Sequence, residues 1–255
     1  MIPVNSAPSA PNLTLFNNSL VAKTIYGSLV AQFITTAFSL DGLNYDLAIE
    51  DTILKDILVL EAFVQFVEAG FYIWVIYALK DLDKMTSRRY IDWFITTPTM
   101  LISTIIFMEY LRKKEANEDT LYFWDFIKDH KTNIIKIVTY NFLMLSFGLL
   151  GELNIIDKKI AIPIGFVFFF LSFKLIYDEY AKHTEGGKKL FMFLFSVWSL
   201  YGFSAMLPIV PKNTCYNLLD VVAKNFYGLF IYYYITQIGS RSGYSFDFLL
   251  KGFNY

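Results

Sequence analysis

The stretch from Tyr216 to Ile238, YNLLDVVAKNFYGLFIYYYITQI, decides how this chain is read. Its length and its apolar, aromatic content are those of a transmembrane helix, for which about 20 such residues suffice. Lys224 stands in the middle of it, where a free ammonium costs about 2.5–3.5 kcal/mol on insertion scales. Asp220 lies four residues earlier, and residues at i and i+4 share one helical face. A carboxylate is thus supplied where a buried cation needs one, and the pair reads as a site.

The composition around that stretch agrees with lipid as the solvent. Hydrophobic residues make up 55% of the 255, aromatic residues 19% and charged residues 18%, whereas soluble domains carry about 25% charged residues. A formal net charge of −1 gives no hint of nucleic acid, and the lone Cys215 cannot form an internal disulfide. Seven apolar segments are long enough to cross about 30 Å of hydrocarbon: 21–40, 53–79, 90–111, 134–150, 160–180, 190–210 and 216–238. The expected fold is all-α, a seven-transmembrane-helix bundle forming one domain over residues 1–255.

Seven crossings place the two ends on opposite sides of the membrane. The Pro- and Asn-rich residues 1–20 carry no basic n-region, so the first segment is expected to be a retained helix and not a cleaved signal peptide. Arg112, Lys113, Lys114, Lys128 and Lys131 fall between the third and fourth segments, and Lys182, Lys188 and Lys189 between the fifth and sixth. The other side holds Lys80, Lys84, Arg88, Lys158, Lys159 and Lys212. The positive-inside bias therefore puts the N-terminus outside and the tail 239–255 in the cytoplasm. The tripeptides beginning at Asn12 and Asn17 then face outward as glycosylation acceptors, a pattern common by chance.

A second cluster lies in the third segment, RRYIDWFITTPTMLIST. Arg89, Asp92, Thr96 and Ser103 are spaced by three, four and seven, so they project from one stripe. Taken alone, Arg89 can be an interfacial anchor and Asp92 a first-turn carboxylate favoured by the helix dipole. Beside Asp220 and Lys224, the stripe is better read as facing them across a polar centre.

Arg89-Tyr90-X-Asp92-Trp93-X-X-Thr96-Thr97-Pro98 and Leu219-Asp220-X-X-Ala223-Lys224 resemble the third- and seventh-helix signatures of microbial, or type 1, rhodopsins. Both patterns occur in the expected order, and the similarity extends over all seven segments. The resemblance implies all-trans-retinal bound to Lys224 as a Schiff base, with Asp92 as proton acceptor and counterion and Asp220 as second counterion. It implies that Arg89 answers the change of charge and that Thr96 is a hydroxyl partner of Asp92. For the pocket it implies Trp93, Thr97, Met100, Met144, Gly148, Trp198 and Tyr201, although Met and aromatic stripes in a bundle are commonly packing alone. Light-driven transport is implied and enzymatic turnover is not; the lipid bilayer, protons and further copies of the chain are the expected partners.

Several positions depart from the family's pattern. Ser103 stands where many proton pumps carry a carboxylate that returns the proton, and the Asp92, Thr96, Ser103 set resembles that of rhodopsins from giant algal viruses. Gly202 replaces a usual proline and Ala205 a usual aromatic residue, while Lys212 and Cys215 stand where some pumps hold release glutamates. In the second segment, Glu61, Gln65, Glu68 and Tyr72 recur at intervals of four, three and four along one face. Such a row can line a cation path, relay protons, or hydrogen-bond a neighbouring helix. The expected function is a light-driven outward proton pump reprotonated from water or through Glu68. The alternatives are a light-gated cation channel or a sensor acting through a separate partner. His130 and His183 are read as solvated loop residues, and no grouping has metal-ligand spacing.

Overall fold

The computed structural model describes residues 19–78 and 82–241. The sequons at Asn12 and Asn17, Lys80, and the tail beyond Arg241 lie outside the described residues. The chain runs through helices α1 (Ser19–Gly42), α2 (Ile53–Ala78), α3 (Leu82–Ala116), α4 (Phe123–Asp129), α5 (Lys131–Glu152), α6 (Lys158–Glu179) and α7 (Glu185–Ser204). It continues through α8 (Ile209–Asp220), a π turn (Val221–Asn225) and α9 (Phe226–Ile238), which run on as one seventh membrane helix. Together they form the seven-helix bundle, with α4 as an extra short helix in the connection before α5. Two residue pairs the apolar pattern did not announce, β1 (Tyr45–Asp46) and β2 (Ser240–Arg241), make a small antiparallel ribbon that ties the ends of α1 and α9 together.

Two expected boundaries move. The third helix begins at Leu82 and not at Tyr90, because Leu, Met, Lys and Arg are good helix formers even where the run is too polar to look like a membrane segment. Asp92 consequently lies about three turns inside α3, and Arg89 is fully buried, so the reading of these two as interfacial anchor and first-turn carboxylate does not hold. The sixth segment was expected to reach Val210, but α7 ends at Ser204 and Ile209 opens α8 behind Pro208 at its cap. Proline has no amide hydrogen to continue the preceding ladder and suits a helix start.

By length and composition alone, four stretches among the described residues suffice to cross a membrane: Ile49–Tyr77, Lys84–Ala116, Lys131–Glu152 and Lys158–His183. The helices α1 and α8–α9 take their place in the bundle while giving much of their interior face to polar side chains. In α1 these are Ser28, Gln32, Thr35 and Ser39; in the seventh helix they include Asn213, Asn217, Asp220, Lys224 and Asn225, all buried. The apolar core fills the rest of the interior, running from Ile53 and Leu58 on α2 through Phe107 on α3 to Phe169 and Phe173 on α6. His130, expected to be solvated, is half-buried: it stacks on Phe126 with ring centroids 4.4 Å apart and shares a hydrogen bond with the Tyr180 hydroxyl. His183 is exposed.

At the end of the bundle opposite the ribbon, Glu152 on α5 receives Lys212 of α8 at 2.6 Å and Lys158 of α6 at 3.0 Å. Lys212 is almost wholly buried, so its only low-energy arrangement is with a carboxylate beside it. Glu152→Gln should therefore cost about 3 kcal/mol, the penalty of leaving a buried ammonium unpaired. The check is thermal unfolding followed by helical circular dichroism, in which Lys212→Met in the same background should recover most of the loss.

Candidate functional site

The site is built where α3 crosses the seventh helix at its widened turn. π turns are uncommon and gather at functional positions, and this one carries Lys224. The wider turn loosens the i, i+4 relation expected between Asp220 and Lys224: Lys224 Nζ lies 3.7 Å from Asp220 Oδ1 but donates to Asp92 Oδ2 at 2.8 Å. A third carboxylate faces the same nitrogen, with Glu68 Oε1 at 3.4 Å. All four side chains are buried. Burying so many ionisable groups is tolerated only where each has a partner of opposite charge or a hydrogen bond.

Asp220 is held chiefly by other groups. Its Oδ2 accepts from Arg89 Nη1 at 2.5 Å and from the Tyr72 hydroxyl at 2.8 Å, and its Oδ1 accepts from the Tyr201 hydroxyl at 2.9 Å. Arg89 Nη2 donates in addition to Asn217 Oδ1 at 2.5 Å. Glu68 Oε2 accepts from Gln32 Nε2 at 2.6 Å, and Gln32 and Asn225 donate to each other's side-chain oxygens at 2.9 and 3.1 Å. Asn225 also donates to Thr35 Oγ1 at 2.8 Å. Asp92 Oδ1 and Glu68 Oε1 have no hydrogen-bond partner among the described residues.

One expected contact comes out differently. Thr96 Oγ1 donates to the backbone carbonyl of Asp92 at 3.0 Å and not to its carboxylate, because a threonine inside a helix readily returns its hydroxyl to the i−4 carbonyl. Ser103, at the position where many pumps carry a proton-returning carboxylate, donates to Glu61 Oε1 at 2.5 Å. The second-helix row is entirely interior, with Glu61, Gln65, Glu68 and Tyr72 each fully buried. Sequence reasoning missed the matching face of α1, although Ser28, Gln32, Thr35 and Ser39 repeat the same spacing of four, three and four. That spacing in an otherwise apolar segment was the available signal.

Beside Lys224 opens a cavity of about 110 Å3. Trp93, Thr97, Met100, Met144, Gly148, Trp198 and Tyr201 all line it together with Lys224. Trp93 stands edge-on between the rings of Tyr201 and Tyr216, with centroids at 5.5 and 5.0 Å. Thr97 accepts from Asn141 Nδ2 at 2.8 Å. The sequence reading did not name the contribution of α6, where Ala161, Gly165, Phe166 and Phe169 close one wall. Nor did it resolve the role of Gly202 and Ala205. Both line the cavity, and a Cβ on Gly202 would overlap the Phe166 ring, so this phenylalanine occupies space left by the small residues of α7. An apolar, aromatic tunnel with a single primary amine in its wall fits a polyene aldehyde: rings and methionines hold the chain, and the amine condenses with the carbonyl.

Comparison with known proteins agrees with this geometry. The family profile of bacteriorhodopsin-like proteins matches residues 22–238. The fold is similar to the crystal structure of viral rhodopsin OLPVRII, with a TM-score of 0.73 and 24% identity over 86% of this chain and 99% of that one. It is also similar to Exiguobacterium sibiricum rhodopsin, with a TM-score of 0.66 and 21% identity over 87% and 99% of the two chains. For halorhodopsin from Halobacterium salinarum in its bromide-bound form, the TM-score is 0.63 and the identity 14%, over 88% and 96%. No curated protein matches the chain in sequence. The chain belongs to the bacteriorhodopsin-like family, integral membrane proteins that carry retinal on a lysine.

Proposed function

We propose that this protein is a light-gated cation channel, with retinal on Lys224, the start of α1 facing outside and the β ribbon facing the cytoplasm. The family includes pumps, channels and sensors, and the sequence reading leaned towards an outward proton pump. What supports conduction is the buried seam between α1, α2 and the seventh helix. Gln32, Glu68 and Asn225 cross-link its middle; Tyr72, Arg89 and Asn217 lie towards one end, and Ser39, Gln65, Glu61 and Ser103 towards the other. A pathway for one proton does not need polar side chains on three helices. A cation that sheds its water needs a succession of oxygen ligands, and this seam supplies carboxylate, amide and hydroxyl oxygens in sequence.

Retinal held by Lys224 and the cavity's rings would supply light absorption and a light-driven isomerisation. The chain's own groups do the rest. A proton held at Lys224 Nζ passes to Asp92 Oδ2 across the 2.8 Å contact. Its loss removes the positive charge that faces Glu68 Oε1 at 3.4 Å and Asp220 Oδ1 at 3.7 Å. Glu68 is then free to leave Gln32, and Arg89 to redistribute between Asp220 and Asn217. Both changes unlock hydrogen bonds that close the seam in the dark.

Whole-cell voltage clamp tests this reading. The photocurrent should reverse at a potential set by the sodium and potassium gradients and shift when they are exchanged. A current of one sign across the physiological range would instead support outward proton pumping. That second reading draws on the direct Lys224–Asp92 contact, and predicts external acidification that an uncoupler abolishes.

A further inference from the structure

The ribbon end of the bundle carries a contact that neither the site nor the sequence reading uses. Asp51, in the short turn before α2, accepts at its Oδ1 from both the Tyr110 hydroxyl and Lys114 Nζ, each at 2.5 Å. Lys114 Nζ donates to the Tyr110 hydroxyl as well, at 2.9 Å. The Asp51 side chain is 8% exposed and that of Lys114 is 40% exposed, so the carboxylate belongs to the protein wall and the ammonium reaches it from the water. One face of α3 leads inward from this point through Phe107 to Ser103, and one face of α9 leads through Ile231 to Tyr227. Tyr110 and Tyr234 meet edge-on above Phe107, whose ring lies 5.6 Å from that of Tyr234. An apolar layer of Phe107 and Ile231 therefore separates the hydrogen-bonded Glu61 and Ser103 from the Asp51 contact at the rim.

We propose that Lys114 is a tethered cation that occupies the inner mouth of the conduction path, taking the place at Asp51 where an arriving monovalent cation first exchanges water for protein oxygen. This rests on the channel reading above. Three features favour that role over a simple clasp between helices. The ammonium is a compact point charge on a flexible stem, as is an inorganic cation with its water removed. The pair is partly solvated, so it is weak enough for bulk cations to displace. The oxygen it covers belongs to a carboxylate at the rim, beside the α3 face that leads to Ser103, and the apolar layer behind it is the kind of constriction that gates by dewetting.

The test is whole-cell voltage clamp on the full chain in cells supplied with retinal, with sodium outside and potassium inside. Currents are scaled to the amount of pigment at the cell surface, read from its visible absorption. Lys114→Gln should raise the photocurrent about two- to fivefold, the range expected from releasing a rim carboxylate from a partly solvated ion pair. Asp51→Asn should lower it by a similar factor, Lys114→Arg should stay near wild type, and the double variant should match Asp51→Asn. The gain from Lys114→Gln should shrink as internal salt is raised, because screening weakens the exposed carboxylate's attraction. A clasp would make Lys114→Gln and Asp51→Asn act in the same direction. That result, or an unchanged current in Lys114→Gln, overturns the assignment while leaving the channel reading intact. If Asp51→Asn yields no pigment, the salt dependence of Lys114→Gln decides alone. A wild-type current that never reverses removes the channel reading and the inner mouth with it.

Discussion

Replacing Lys224 with alanine should give a protein that binds no retinal covalently, absorbs no visible light and passes no photocurrent. Lys224 is the only lysine lining the cavity, so no second amine within the described residues can take its place. The change should also weaken the fold. Asp92, Glu68 and Asp220 surround Nζ at 2.8, 3.4 and 3.7 Å, and without it Arg89 is left as the sole cation among three buried carboxylates. Removing one partner of a buried ionic group costs about 3–5 kcal/mol because the remaining charge stays unpaired. Lys224→Arg separates the two effects. It keeps a cation beside the carboxylates but offers no amine for stable condensation, so it should be colourless like the alanine variant yet unfold at a higher temperature. Absorption after incubation with retinal, followed by mass measurement of the denatured protein, checks the first effect, and thermal unfolding without retinal checks the second. Retinal recovered in covalent linkage from Lys224→Ala would place the attachment elsewhere.

How much of this arrangement the sequence disclosed depended on whether the signal was local. Lys224 stood out because a charge amid lipid-facing residues is expensive wherever the chain folds. The α2 row stood out for the same reason, as periodic acid in an apolar helix. The α1 face, by contrast, is built from Ser28, Gln32, Thr35 and Ser39, none of them charged, and such residues lower hydropathy without raising an alarm. Only their juxtaposition with Asn217 and Asn225 turns them into a seam. The start of α3 was hidden because Leu82–Arg88 is too polar to count as a membrane segment, although its residues propagate a helix well. Partner choice was hidden too. Spacing joined Asp220 to Lys224 on the assumption of a regular helix, and a π turn at Val221–Asn225 leaves no mark in an apolar pattern. The contact of Lys114 with Asp51 spans 63 positions, and nothing local could have announced it.

Asp92→Asn should slow the loss of the proton from Lys224 Nζ by about a hundredfold or more, the usual worth of a positioned proton acceptor. Asparagine keeps the shape and a hydrogen-bond acceptor at 2.8 Å from the nitrogen, but it has no basic oxygen to take a proton. Two carboxylates remain close enough to substitute, and their environments rank them. Asp220 has Arg89, Tyr72 and Tyr201 on its oxygens, and its Oδ1, the oxygen facing Nζ at 3.7 Å, already accepts from Tyr201 while Arg89 holds the carboxylate ionised, so it takes a proton less readily. Glu68 Oε1 accepts no hydrogen bond among the described residues and lies 3.4 Å from Nζ. Residual proton transfer in Asp92→Asn should therefore run through Glu68 and disappear in Asp92→Asn/Glu68→Gln, whereas Asp92→Asn/Tyr201→Phe should change it little. Flash photolysis of purified protein reads these rates directly, and voltage clamp of the same variants shows whether opening follows them. If Asp92→Asn transferred its proton at the wild-type rate, Glu68 would be the principal acceptor. The trigger would then lie within the seam itself, because the Gln32–Glu68 bond, with that of Ser39 to Gln65, ties α1 to α2.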